Sequence, residues 1–71
     1  MKNYSVYNLL NTNRDYEVYF ASSAVNAVLM AYCANNDIYG YDVTEFIKNN
    51  RSNVVIGNKC VEFGNYSCLK D

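Results

Sequence analysis

The segment at residues 21–37, ASSAVNAVLMAYCANND, constrains the fold more than any other part of the chain. Val25, Val28, Leu29 and Tyr32 recur at the i, i+3, i+4, i+7 spacing that places side chains on one face of an α-helix. Intervening alanines widen this apolar face until most of the helix surface is hydrophobic. The pattern therefore predicts a helix that forms the centre of the hydrophobic core.

The predicted helix has clear signals at both ends. Ser22 or Ser23 is expected to cap its start, because a serine hydroxyl accepts a hydrogen bond from a first-turn N–H that has no partner in the helix. Asn35, Asn36 and Asp37 are expected to end it, since their side chains compete for backbone hydrogen bonds and tolerate left-handed geometry.

Two β-rich runs precede this helix, at residues 3–10 (NYSVYNLL) and 16–21 (YEVYFA), separated by the polar residues 12–15. They predict a β-hairpin. Val6, Leu10, Val18 and Phe20 are the expected apolar anchors of its strands, with one face packed on the helix and the other in solvent.

A second helix and three further strands are predicted after it. Asp42 is expected to cap a helix at residues 43–49, with Tyr41 and Phe46 as a hydrophobic staple. Two Gly-Asn dipeptides, at residues 57–58 and 64–65, suit type II′ hairpin turns and predict strands near residues 53–56, 59–63 and 66–69. We therefore expect one compact α+β domain of residues 1–71: an N-terminal β-hairpin, two helices and a C-terminal three-stranded antiparallel meander.

Composition argues against most enzyme classes. The chain has no histidine, so Cys-His and Ser-His nucleophile pairs are absent. None of its three glycines lies in a phosphate-binding motif. The net charge of −1 disfavours nucleic acid as a partner. The missing histidine and motifs lead us to expect a protein without catalytic activity. No secretory signal pattern or long apolar run is present, so we also expect a cytoplasmic protein.

The three cysteines have two interpretations. Reduced thiolates can bind Zn²⁺ tetrahedrally, and a structural zinc ion would stabilise so small a domain. The predicted metal ligands are Cys33, Cys60 and Cys68 with Asp37 as the fourth, and Glu62 and Asp71 as other candidates for that position. The alternative is that the cysteines are small core residues.

The register of the last hairpin distinguishes these interpretations. A two-residue Gly64-Asn65 loop places Phe63 opposite Tyr66, which leaves Cys60 and Cys68 on opposite faces of the sheet and excludes a shared zinc. A bulge or an odd-numbered loop would place both thiols on one face.

An acidic and aromatic cluster near the second helix is the predicted partner-binding site. Tyr39, Asp42 and Glu45 lie close to Asp37 in the sequence. Tyrosine is enriched at protein interfaces, and carboxylates pair with arginine. The alternative is an ordinary solvated capping region.

A short, histidine-free, asparagine- and tyrosine-rich chain without enzyme motifs resembles the small phage- and prophage-encoded anti-CRISPR proteins that inhibit Cas9. The resemblance lies in the character of the whole chain, and some of these proteins bind zinc structurally, for which the matching residues are Cys33, Cys60 and Cys68. It implies a monomer or weak homodimer in the host bacterial cytoplasm that binds the Cas9–guide RNA complex and blocks the loading of target DNA. The alternative function is a zinc-stabilised phage regulatory or nucleic-acid-binding module.

Overall fold

The computed structural model describes residues 1–11, 13 and 15–70. Within them, five antiparallel strands and two α-helices confirm the predicted α+β class. The strands are β1 (Lys2–Asn8), β2 (Tyr16–Ala21), β3 (Val55–Ile56), β4 (Cys60–Phe63) and β5 (Tyr66–Leu69). The α-helices are α1 (Ala24–Ala34) and α2 (Tyr41–Asn50), and a short 3₁₀ helix, Arg51–Asn53, leads from α2 to β3.

The strands form one sheet in the order β2-β1-β5-β4-β3. The N-terminal hairpin and the C-terminal meander join where β1 pairs with β5, with Val6 opposite Cys68 and Asn8 opposite Tyr66. The predicted hairpin and meander are therefore parts of a single sheet. The hairpin turn includes Thr12 and Arg14, which lie outside the described residues.

Helix α1 packs across one face of this sheet and forms the centre of the core, as its sequence predicted. Val28 and Leu29 are fully buried, and so are the alanines that widen the apolar face. Ser23 is the N-cap, and its Oγ accepts a hydrogen bond from the Asn26 backbone N–H at 3.2 Å. At the other end, Asp37 has a φ of 58°, so the predicted left-handed residue is present.

Strand β2 presents the opposite face to the one expected. Val18 and Phe20 are exposed, while Tyr19 and Ala21 face the helices. The pairing with β1 sets this orientation, because buried Tyr4 lies opposite Tyr19 and therefore on the same face. Ala21 has to lie under the start of α1, which begins only three residues later.

Two other residues that were predicted to be buried, Leu10 and Tyr41, are also exposed. Leu10 lies beyond the end of β1 and is exposed. Helix α2 begins at Tyr41 with Gly40 as its N-cap, so the Asp42 cap does not form. Tyr41 is 92% exposed and does not act as a staple against Phe46. A φ of 61° at Gly40 turns the chain sharply into α2 and directs the Tyr41 side chain into solvent.

Four aromatic rings link the helices to the sheet. Tyr32 of α1 stacks on Phe46 of α2, with ring centroids 5.2 Å apart. Its ring meets Phe63 of β4 and Tyr66 of β5 edge-on, at 5.1 Å and 6.3 Å. These four residues form the aromatic cluster, which fixes α2 to the rest of the molecule although no side chain of α2 is fully buried.

Candidate functional site

The predicted zinc ligands do not come together. The Gly64-Asn65 turn has the two-residue register, with Phe63 opposite Tyr66 and Val61 opposite Cys68. Positive φ at Gly64 but not at Asn65 fits the type II′ turn that the sequence predicted. Cys68 therefore points toward the helices, while Cys60 points to the other side of the sheet. The other predicted type II′ turn is wrong, because φ at Gly57 is not positive and Ile56 pairs with Val61 across a longer loop.

The placement of Cys33 and Asp37 leads to the same result. Cys33 is buried in α1, and burial raises the pKa of its thiol, which disfavours the thiolate that a metal would need. Asp37 is exposed beyond the helix end, and its carboxylate accepts a hydrogen bond from the Tyr39 hydroxyl at 3.0 Å. Within the described residues, no three His, Cys, Asp or Glu side chains form a group that could hold a metal ion.

The residues present therefore do not fit a zinc site that uses all three thiols. Glu62 lies on the same sheet face as Cys60, away from Cys33 and Cys68, and Asp71 lies outside the described residues. Buried Cys33 and Cys68 have the environment of small core residues, the alternative that the sequence left open. Zinc binding stays a prediction, to be tested by metal analysis of the purified protein.

The predicted partner-binding residues do share one region of the surface. Tyr39 lies in the connection between the helices, and Asp42 and Glu45 lie on the first turns of α2. All three are exposed. Together with Asp37 and Tyr41 they form what we call the acidic–tyrosine surface. The sequence predicted that Tyr41 would pack in a hydrophobic staple, so its exposure on this surface was not anticipated.

The carboxylates of Asp42 and Glu45 are available to a partner. Asp42 and Glu45 form no salt bridge within the part of the chain that the structure describes, and Asp42 lies in the first turn of α2, where the helix dipole favours a negative charge. The connection is held by backbone bonds, since the Asp42 N–H donates to the Tyr39 carbonyl oxygen at 3.2 Å. The exposed side chains therefore project from an ordered turn.

An apolar groove adjoins the acidic–tyrosine surface. It has a volume of about 290 Å³ and lies between β2, the end of α1 and the start of α2. Its lining includes Met30, Ala34, Ile38, Tyr39 and Val43. Tyr39 belongs both to this groove and to the acidic–tyrosine surface, so an apolar depression adjoins a polar surface, as in an interface with an apolar core and a polar rim.

Tyr19 forms the β2 wall of this groove and has a perturbed pKa. Its hydroxyl donates to Glu17 Oε1 at 3.0 Å, and the same oxygen accepts a hydrogen bond from Asn35 Nδ2 at 3.0 Å. Burial, followed by the hydrogen bond to Glu17 and its charge, raises the pKa of Tyr19 to about 12. This network ties the edge strand to the C-terminal end of α1.

The raised pKa predicts a loss of stability in strong base. An unfolded tyrosine has a pKa of about 10, so the native state holds the Tyr19 proton more tightly than the unfolded state does. The stability that Tyr19 contributes is fully present below that pH and is lost as the pH rises through about 12. We expect denaturation of the parent protein to depend more steeply on pH in this interval than that of Tyr19→Phe. The difference between their ultraviolet titrations should have its midpoint near the raised value; a midpoint at the ordinary tyrosine value would contradict this assignment.

Comparison of the chain with models of protein families, with curated proteins and with solved structures finds no match. Among the described residues, no helix is both long and apolar enough to cross a membrane.

Proposed function

We propose that this protein is a non-catalytic inhibitor that binds a positively charged site on a partner protein through its acidic–tyrosine surface. The observation that carries the proposal is Tyr41, which is 92% exposed beside the carboxylates of Asp42 and Glu45. A tyrosine this exposed contributes little to folding. Its ring offers a large contact area to a partner at low entropic cost.

The chemistry of the surface favours an arginine-rich partner. Arginine pairs with carboxylates through two parallel hydrogen bonds and stacks on aromatic rings, so Asp42, Glu45 and Tyr41 can engage the same guanidinium-bearing region. The adjoining groove would accept an apolar side chain near the centre of the interface. The net charge of the chain is only −1, so this local cluster has to supply the attraction.

The Cas9–guide RNA complex is the partner that we propose, on the basis of the resemblance to anti-CRISPR proteins. Cas9 reads its PAM with arginines and holds nucleic acid in a positively charged channel. A protein that occupied this region in the bacterial cytoplasm would block the loading of target DNA. Neither a catalytic step nor a bound zinc ion is required for this mode of inhibition.

The first experiment measures cleavage of target DNA by a panel of Cas9–guide RNA complexes with the protein in excess. We expect cleavage to be suppressed and target DNA binding to be reduced when the protein is added before the DNA. Unchanged cleavage at large molar excess against every complex would refute Cas9 as the partner.

A charge-neutralising variant tests the surface itself. Asp42→Asn combined with Glu45→Gln should weaken inhibition by at least about tenfold, because charged interface pairs are worth about 2–5 kcal/mol when one partner is removed. Tyr41→Ala should have a similar effect. Glu62→Gln is the matched control, since Glu62 is an exposed carboxylate on the opposite side of the sheet. Equal loss of inhibition in the control would contradict the assignment of this surface.

Direct nucleic-acid binding is the rival function, and one feature favours it. Lys48 and Arg51 line a groove of about 350 Å³ beside α2, together with Thr44. Binding through this pair would appear as a salt-dependent gel shift of DNA or RNA by the protein alone. Such a shift, lost in Lys48→Ala with Arg51→Ala, would replace the inhibitor proposal with the regulatory one.

A further inference from the structure

The outer edge of β2 points to a homodimer. We propose that β2 pairs antiparallel with β2 of a second copy of this chain, so that two five-stranded sheets become one continuous sheet. Strand β2 is at the end of the sheet order, with β1 on its inner side and, within the described residues, no strand on its outer side. The outward-facing backbone groups of such an edge are a template for another strand.

The two edges of the sheet differ in how well they are protected. Monomeric proteins guard an edge by keeping it short or by placing proline, lysine or a bulge in it. The β3 edge is two residues long, whereas β2 has six residues and contains neither proline nor lysine. Its single charge, Glu17, lies on the helical face, where it accepts hydrogen bonds from Tyr19 and Asn35. Strand β2 therefore has one charge against pairing, and that carboxylate is already hydrogen-bonded within its own chain.

Large apolar and aromatic side chains line this edge of the open sheet face. Tyr16, Val18 and Phe20 are all more than half exposed there. The adjacent strand β1 places Asn3 and Ser5 beside Phe20 and Val18. Tyr7 of β1, beside Tyr16, and Leu69 of β5 are exposed on the same face. Pairing at β2 would cover the outer row of these side chains.

Strand β2 is complementary to itself. Antiparallel pairing centred on Val18 puts Val18 against its own copy and Tyr16 against Phe20 of the second copy, with every matched pair on the same face. Glu17 then lies opposite Tyr19 of the second copy, so the two negative charges are not directly paired. Pairing centred on Glu17 would bring like charges together and is disfavoured.

A second copy is a better occupant than a strand of a different protein. The open face of β2 carries no charge that a complementary partner would have to neutralise. The net charge of −1 per chain produces little repulsion between copies. The inference does not rest on the proposed inhibitor function, because the acidic–tyrosine surface lies at the start of α2 and outside the paired strands.

Two matched substitutions separate this edge from the other. Val18→Lys places two ammonium groups against each other in the dimer, whereas Val55→Lys makes the same change on the same sheet face at the opposite edge. The two valines are similarly exposed, at 56% and 64%. Sedimentation equilibrium should give a parent mass approaching that of two chains with rising concentration, a dissociation constant at least about tenfold higher for Val18→Lys, and no comparable change for Val55→Lys. A monomeric parent, or equal weakening by both substitutions, would overturn the proposal.

Disulfide trapping tests the register without requiring a charged variant to fold. Val18→Cys, in a Cys60→Ser background that removes the partly exposed thiol, should form a covalent dimer under mild oxidation. Directly opposed antiparallel residues have Cα atoms about 4.5–5.5 Å apart, within the range of a disulfide. Val55→Cys in the same background should remain uncrosslinked. Crosslinking of Val55→Cys alone, or of both variants to the same extent, would contradict pairing through β2.

Discussion

Leu29→Ala is expected to lower the free energy of unfolding by about 2–5 kcal/mol. Leu29 is completely buried at the centre of α1, and truncation would remove its transfer free energy and leave a cavity beneath the helix. At about 0.05–0.15 kcal/mol per residue, a chain of this length has a total stability of only about 4–10 kcal/mol. The variant should therefore be largely unfolded in mild denaturant, as measured by urea titration of the circular dichroism signal.

The matched control is Leu69→Ala, the same chemical change at a residue that is 66% exposed in β5. It should shift the free energy of unfolding by no more than about 0.5 kcal/mol, as is usual for surface substitutions. If both leucine variants were equally destabilised, α1 would not be the centre of the core.

Tyr32→Ala is expected to destabilise the protein by about 3 kcal/mol, because it removes the ring around which the aromatic cluster is built. Each of the lost ring pairs is worth about 0.5–1.5 kcal/mol beyond its buried area. The stacked contact with Phe46 attaches α2 to the core, so its loss should also increase amide hydrogen exchange in α2 more than in β1. Both effects can be measured on one sample by urea titration and exchange.

Tyr41→Ala provides the comparison, since it removes the same side chain from a position that is almost entirely in solvent. A double-mutant cycle of Tyr32→Ala with Phe46→Ala should give a coupling energy of about 0.5–1.5 kcal/mol. Additive effects of these two substitutions would show that the stacked pair makes no specific contribution.

The sequence was most informative where local pattern and burial agree. Three features depend only on residues a few positions apart, and each is found where it was predicted. They are the helical spacing of Val28 and Leu29, the serine cap at Ser23 and the Gly64-Asn65 turn. The register of the last hairpin is set by the length of its loop, and the sequence left that length open. The two-residue loop found in the structure places Cys60 and Cys68 on opposite faces of the sheet.

Predictions of burial were wrong for a strand with apolar residues on both faces and for a residue that follows a sharp turn. Strand β2 alternates Tyr16, Val18 and Phe20 with Tyr19 and Ala21, so its own pattern does not reveal which set faces the helices. Pairing with Tyr4 and the short connection to α1 make that choice. For Tyr41, a staple depended on a cap at Asp42, and the helix begins two residues earlier than predicted, with Gly40 as its N-cap.

The placement of the partner-binding residues could be anticipated only in part. Tyr39, Asp42 and Glu45 are polar or amphipathic and close in sequence, which predicts exposure and proximity. The groove beside them is assembled from β2, α1 and α2, and its existence depends on tertiary packing that no short segment encodes.

The central position of β5 has a consequence for synthesis on the ribosome. Val6 and Cys68 face each other across the middle of the sheet although they lie near opposite ends of the 71-residue sequence. Until β5 has been translated, the nascent hairpin has two unpaired edges, and α1 lacks much of the surface on which it packs. Folding of this domain is therefore expected to be delayed until β5 has been synthesised, and until then the apolar strands are open to aggregation unless chaperones shield them.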